Sequence, residues 1–327
     1  MIIIESIDKK LWDLEFKVIE ILKEATLDNN KIIIDFNNEG PCLRSCNFYR
    51  VLDDISNTFS IDKSRFLIRT ANNEEYHDEY AIEVTDNLWI TQAKKKNIIA
   101  ENKNLNLTTV GCFTGQANWT RLAFVYWLDH YYKEKSLITC HYNNSLLNHH
   151  TRLELNDVMI YFPEEILIAS DFLKSCPRKM PGSDLPYATV DNPTLTIISD
   201  VAHFSNGYSD IFTELVCESY HSGITFFPTE KTFRPMIQLT PFITFGPRGF
   251  LSNLQRTGFK TFNNYWNESY DDLSGQDRII AIRQVLSTLF TYSPTQLQEM
   301  YNDMMPLLVH NKNRITEMSV KDLKLAG

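Results

Sequence analysis

Apolar positions along the 327-residue chain fall into two spacings, short β-branched or aromatic runs and helical stripes at i, i+3, i+4 and i+7. A first helix is predicted over residues 11–22, where Leu11, Leu14, Val18, Ile21 and Leu22 share a face. The run Ile32-Ile33-Ile34 reads as a strand that ends at Asp35-Phe36 and the turn-prone Asn37-Asn38-Glu39-Gly40-Pro41. A helical pattern follows from about Leu43 to Phe59. Phe66 to Ile68, Ala81 to Val84, Leu107 to Phe113 and Ser136 to His141 are further strands. Asn118 is placed as the N-cap of a helix with Trp119, Leu122, Ala123 and Tyr126 on one side.

Beyond this the chain changes character. Residues 176–193 hold Pro177, Pro181, Gly182, Pro186 and Pro193 with few long apolar side chains, which predicts a linker. The alternation then resumes. Leu195 to Ile198, Phe212 to Cys217 and Pro241 to Phe245 read as strands, and Glu230 to Ile237, Pro247 to Arg256 and Asp277 to Phe290 as helices. Strand and helix in alternation indicate an α/β protein with mainly parallel sheets. With a chain too long for one core, the expectation is two α/β domains joined by a proline-rich hinge. Their expected extents are residues 1–178 and 179–327, the last helices packing back on the first domain.

Composition narrows the function classes. Forty-one acidic against 32 basic residues give a formal charge of −9, which argues against phosphate neutralisation as the main task. The densest basic cluster, Lys94-Lys95-Lys96, reads first as a solvated loop. Six cysteines sit mostly beside apolar runs, as buried thiols do, and the C-x3-C pair Cys42 and Cys46 has no second pair to complete a zinc site. The apolar start of the chain is too short for a secretory signal, and no apolar run reaches the roughly 18 residues of a membrane span. A reducing cytoplasm is the expected compartment.

Candidate chemistry concentrates between Glu218 and Asp272. Thr229 is positioned to cap a helix opening at Glu230, whose first N–H groups attract anions, while Lys231 and Arg234 add positive charge. Glu230 is suited to accept ribose hydroxyls, and Thr232 lies on the same turn. A mixed-charge surface helix accounts for these residues equally well. Glu218 closes the preceding strand, where it can orient Lys231 or touch a sugar. In the first half, residues 111–122 (GCFTGQANWTRL) form a strand, a small-residue turn at Gly115 and a helix carrying Arg121, a place for backbone to approach a ligand. The turn departs from G-x-G-x-x-G, against nicotinamide binding, and no G-x-x-x-x-G-K-[ST] loop is present for a kinase. The acidic cluster Glu268, Asp271 and Asp272 reads as a solvated turn rather than a metal site, and His149-His150 as surface loop.

These segments resemble a known family. TEKTFRPMI at 229–237, PFITFGPRGFL at 241–251, GFKTF at 258–262 and NESYDD at 267–272 look like the C-terminal domain of GT-B-like glycosyltransferases common in bacteria and their phages. NNEGP at 37–41 and GCFTGQANWTRL at 111–122 extend the likeness to the first half, and the resemblance implies two Rossmann-like domains facing each other across a cleft. The Glu-Lys pair is also similar to the TEK or SEK motif of fucosyltransferases. That resemblance implies a nucleotide-diphosphate sugar as donor, with Lys231 on the diphosphate and Glu230 on the ribose, Arg234 assisting, and neither cofactor nor metal. The family usually has Arg or another polar residue after the second glycine of the turn, where this chain has Gln116.

Transfer with inversion needs a base near the acceptor hydroxyl. Glu39, in the loop after strand 31–36, is the first candidate and His141 the second; each serves as readily as a turn or packing residue. The acceptor implied is a glycan or lipid-linked sugar, or a hydroxymethylated base of duplex DNA guided by Arg44, Arg50 and Lys94 to Lys96. A non-catalytic nucleotide-sugar-binding protein is the alternative.

Overall fold

The computed structural model describes residues 2–3, 17–27, 31–94, 108–114, 118–140, 149–176, 178 and 208–319. The predicted strand at 195–198, the linker beyond Arg178, Lys95, Lys96, Gly115, Gln116 and His141 lie outside the described residues.

The first sheet holds β1 (Ile2–Ile3), β2 (Ile32–Asp35), β3 (Phe66–Thr70) and β4 (Ala81–Val84), all parallel and in chain order. Helices α1 (Val18–Leu27) and α2 (Phe48–Phe59) belong to this part. Helix α2 starts later than its pattern because Asn47 takes a left-handed conformation just before it. Alternate strand residues Ile32, Ile34, Phe66 and Ile68 point into a core shared with Phe36, Phe48, Leu52 and Tyr80.

Helix α3 (Leu88–Lys94) leads to a second, larger core. Its sheet has the order β6-β5-β7-β8, with β5 (Thr108–Thr114), β6 (Ser136–Cys140), β7 (Ile211–Cys217) and β8 (Phe242–Phe245), again all parallel. Helices α4 (Trp119–Tyr131), α5 (His149–Tyr161), α6 (Ile166–Lys174) and α9 (Gly275–Leu289) make up one layer. The other layer is α3, α7 (Glu230–Ile237) and α10 (Pro294–Glu317), and α8 (Phe250–Arg256) follows β8. Every residue from Thr120 to Leu128 of α4 is buried, so this helix is not the one-sided stripe its pattern predicts. The cause is the cover that α5, α6 and α9 place over its outer face.

The sheets divide between β4 and β5, not at the proline-rich segment. Strands β5 and β6 precede that segment, yet β5 pairs directly with β7, which follows it. The expected boundary at 178/179 therefore runs through the second sheet. Helix α10, one of the last helices expected but given no bounds in the sequence, carries a capping box in which Ser293 and Gln296 bond each other's backbone N–H groups. It packs on α7 and α3 of the second core, and Lys94 of α3 donates to the Met318 carbonyl near its end.

Candidate functional site

In the second sheet the chain adds β6 on one side of β5 and then returns to lay β7 on the other. Open α/β sheets generally take ligands outside the carboxyl ends of the strands at such a reversal. The described residues beside it are the start of α4 and the segment Glu218 to His221 after β7. Asn118 caps α4 by accepting the Arg121 N–H at 3.0 Å, as its sequence predicts. Buried Arg121 reaches across the reversal, and its Nη2 lies 3.4 Å from the Cys217 carbonyl at the end of β7.

Glu218 stands directly past β7 and is almost fully buried. Its Oε1 accepts the Thr229 N–H at 3.0 Å and the Thr232 hydroxyl at 2.6 Å, and its Oε2 accepts the Thr229 hydroxyl at 2.6 Å. Thr229 caps α7 as predicted, its Oγ1 accepting the Lys231 N–H at 3.3 Å. The helix start therefore differs from the open anion seat expected of it. A carboxylate of the protein's own already sits on these donors, the arrangement a helix N-terminus favours. Glu218 neither contacts Lys231 nor replaces it; it fixes the turn that carries Lys231.

Lys231 bridges three groups. Its Nζ lies 3.1 Å from Ser219 Oγ, 3.4 Å from Thr229 Oγ1 and 2.5 Å from Glu230 Oε1. Burial works against the charge of the Glu230 carboxyl, but the Lys231 ammonium and the Arg234 guanidinium outweigh it and hold the group below the usual glutamate range. Glu230 thus pairs with its neighbour where a ribose contact was expected.

Arg234 lies deeper than its predicted role requires. Its guanidinium pairs with fully buried Glu214 of β7, its Nε donates to Tyr208 Oη at 2.6 Å, and its cation lies over the Phe113 ring. A buried arginine engaged this way balances a core carboxylate, so its charge is accounted for without a ligand.

Ser219, Tyr220 and His221 went unnoticed in the sequence, although the first residues past a central strand are where an α/β sheet presents side chains to a ligand. The His221 ring packs beside Phe245 with centroids 5.4 Å apart. Desolvation, reinforced by the Arg121 and Arg278 charges, pushes its pKa down to about 4. Tyr220 turns toward the first sheet, and its hydroxyl donates to Glu39 Oε2 at 2.8 Å.

Glu39 is brought here by a turn from Phe36 to Glu39 whose central residues, Asn37 and Asn38, both have positive φ. Asparagine tolerates that region better than other side chains. The segment from Gly223 to Pro228 then fastens onto the first sheet's loops. Thr225 Oγ1 donates to the Gly40 carbonyl at 2.6 Å, and Asn87 Nδ2 donates to the Pro228 carbonyl at 2.7 Å. Asn72, fully buried past β3, accepts the Phe226 N–H at 2.9 Å and donates to the Ile224 carbonyl at 3.1 Å. Gly40 allows this approach, because a Cβ there would lie 2.6 Å from Phe227 Cγ.

The cluster thus unites Glu39, Arg121, Glu218, Glu230, Lys231 and Thr232, with Arg234 behind them in the core. Within the acidic segment 267–272 Asp272 is exposed, as a solvated turn predicts, but Asp271 departs from that expectation. Asp271 is buried, accepts the Leu251 and Ser252 N–H groups at the start of α8, and binds Arg278 Nη2 at 2.8 Å. Among the described residues no group of three or more His, Cys, Asp or Glu side chains is arranged to hold a metal ion, and no helix is long and apolar enough to cross a membrane. No protein-family model matches the chain, and no curated protein matches it.

Proposed function

We propose that the chain is a glycosyltransferase of the two-Rossmann-domain type, taking a nucleotide-diphosphate sugar at the β5/β7 reversal. One observation carries this reading. Consecutive residues of one loop hold the two reactive halves, Ser219 bonding Lys231 at 3.1 Å and Tyr220 bonding Glu39 at 2.8 Å. A cation for a leaving diphosphate and a carboxylate for an acceptor hydroxyl thereby converge from the two sheets.

In this mechanism Lys231 and Arg121 stabilise charge that develops on the leaving diphosphate, the largest contribution a fixed charge makes to such a transfer. Glu39 takes the proton of the attacking hydroxyl. Glu218 acts through Thr229 and Thr232 as a positioning residue. The acceptor is a hydroxyl of a glycan, a lipid-linked sugar or a hydroxymethylated base in duplex DNA, and the cytoplasm is the compartment that fits a soluble donor. Of the basic residues proposed to guide a duplex, Arg44 donates to the Tyr76 carbonyl and Lys94 to the Met318 carbonyl. That weighs toward a sugar acceptor.

A thermal-shift screen against nucleoside diphosphates and their sugars tests the donor half, since a ligand specific to the native state raises the melting temperature by mass action. No shift with any member of the panel sinks the reading. A second reading, binding without transfer, is favoured by the Glu218 carboxylate on the α7 start and by the engagement of Arg234 in the core. It predicts the same thermal shifts with no donor hydrolysis and no transfer to sugars or modified duplex.

A further inference from the structure

Exposed apolar side chains gather at one place on the layer of helices that covers α4. Met159, Ile160 and Tyr161 at the end of α5, Leu167 at the start of α6 and Ile280 of α9 all face solvent, Ile160 with 66% and Leu167 with 75% of its surface exposed. Four of the five belong to the segment 159–167, and α9 holds the fifth beside them. Gln276 of that helix donates to the Tyr161 carbonyl and Arg283 pairs with Glu165. Ile280 lies between these two anchors on the same helical face, at the i, i+4, i+7 spacing. The Trp119 ring stacks on Tyr161 with centroids 4.5 Å apart, which carries the patch to the start of α4.

Single exposed apolar side chains are ordinary on a protein surface, whereas a group of them marks a contact. Elsewhere among the described residues the large ones occur one to a segment. The group here also carries a charge pattern. Asp157, Glu164 and Asp277 each stand three residues before an exposed apolar side chain, Ile160, Leu167 and Ile280, a spacing that sets the two side by side on a helical turn. Among the described side chains of α5, α6 and α9 the cations are already matched, Lys174 by Asp171, Arg278 by Asp271 and Arg283 by Glu165. The three carboxylates have no such partner among the described residues, so the apolar patch has a negative rim.

That rim decides between occupants. A second copy would press the same carboxylates against these, and an anionic bilayer would be repelled in the same way. A cationic partner gains from both features, apolar burial at the centre and charge pairing at the edge. We infer that this face of α5, α6 and α9 is a docking surface for a basic amphipathic segment of a partner protein, with apolar side chains on one side and Lys or Arg flanking them. The inference stands apart from the proposed transfer, and it puts the partner beside the start of α4.

Fluorescence anisotropy of a labelled amphipathic peptide of leucine and lysine, about five helical turns long, titrated with the full chain, tests this. The same peptide with glutamate in place of lysine is the control. The lysine peptide is expected to bind wild type at least about tenfold more tightly than the double variant Ile160→Ser with Leu167→Ser, and to weaken as salt is raised. No binding to wild type, equal affinity for the two proteins, or equal affinity of the two peptides overturns the inference. Both replaced side chains are exposed in the fold. If that variant does not fold, Glu164→Lys with Asp277→Lys takes its place, and undiminished binding to it has the same consequence. Sedimentation of the wild type alone and mixing with anionic vesicles separate the other occupants. A dimer, or vesicle binding, that Ile160→Ser with Leu167→Ser abolishes gives the surface to a second copy or to a bilayer and overturns the inference.

Discussion

The Tyr220 hydroxyl donates to Glu39 Oε2 at 2.8 Å across 181 residues of chain, joining the loop after β7 to the loop after β2. This single bond ties the carboxylate proposed as base to the loop that also holds Lys231. Glu39→Gln keeps an oxygen that can accept from Tyr220 but removes the basic carboxylate. Transfer is expected to fall by about 10²-fold or more, with nucleotide affinity unchanged. Steady-state rates alongside nucleotide binding check this, and a Glu39→Gln enzyme with full turnover removes Glu39 from the chemistry.

Lys231→Ala is expected to act on binding and on stability together. The Glu230 carboxylate is buried against this ammonium, so removing the cation leaves a buried charge without its partner and costs about 3 kcal/mol. The sign with pH follows from the depressed pKa of Glu230. The unfolded chain binds that proton more readily than the fold does. The pair's stabilisation is therefore complete above the ordinary glutamate value of about 4.3 and disappears as pH falls through the lower folded value. Wild type loses stability in that acid window, and the gap between it and Lys231→Ala narrows there. Urea titrations at a series of pH values measure the gap; a constant gap contradicts the pairing.

Arg234 separates a core role from a ligand role. Arg234→Met strands the Glu214 carboxylate in the interior and is expected to destabilise by about 3–5 kcal/mol. The double change Arg234→Met with Glu214→Leu is expected to recover much of this loss, because a buried pair is often replaceable by apolar residues of similar volume. Nucleotide affinity of the double variant should match wild type. A large loss of affinity in a well-folded double variant returns Arg234 to the binding site.

The parallel α/β architecture and most strands were legible because β-branched runs and helical stripes differ in period. Ile32 to Asp35 and Ala81 to Val84 were found nearly to the residue, as was the Thr229 cap. The assignment of strands to sheets was not legible. Whether β5 lies beside β4 or β7 is decided by pairing across about a hundred residues, which no local pattern records. The site was half legible for a similar reason. Lys231 and Glu230 mark a charged helix start, but only the fold shows Glu218 already seated on it and Arg234 turned to Glu214. Ser219, Tyr220 and His221 gain meaning only from the reversal of strand order beside them.

Glu218 invites the most direct test of how the turn is held. Its two oxygens accept three hydrogen bonds from Thr229 and Thr232, all buried. Glu218→Gln puts an NH2 group where an acceptor stood, so at least one hydroxyl loses its partner and the amide faces another donor. Each buried group left unsatisfied costs about 1–3 kcal/mol. Thr229→Ala removes the cap itself, for about 1 kcal/mol. The two changes share one set of bonds, so their combined effect is expected to be smaller than the sum of the separate losses. Denaturant unfolding of both single variants and the double variant gives that coupling. Pyrophosphate binding measured on the same three proteins then says whether the turn matters to ligand: a carboxylate that only positions Lys231 weakens binding in proportion as the turn loosens. If Glu218→Gln instead binds pyrophosphate more tightly than wild type, the carboxylate competes for the helix start, and Glu218 is a gate on the seat.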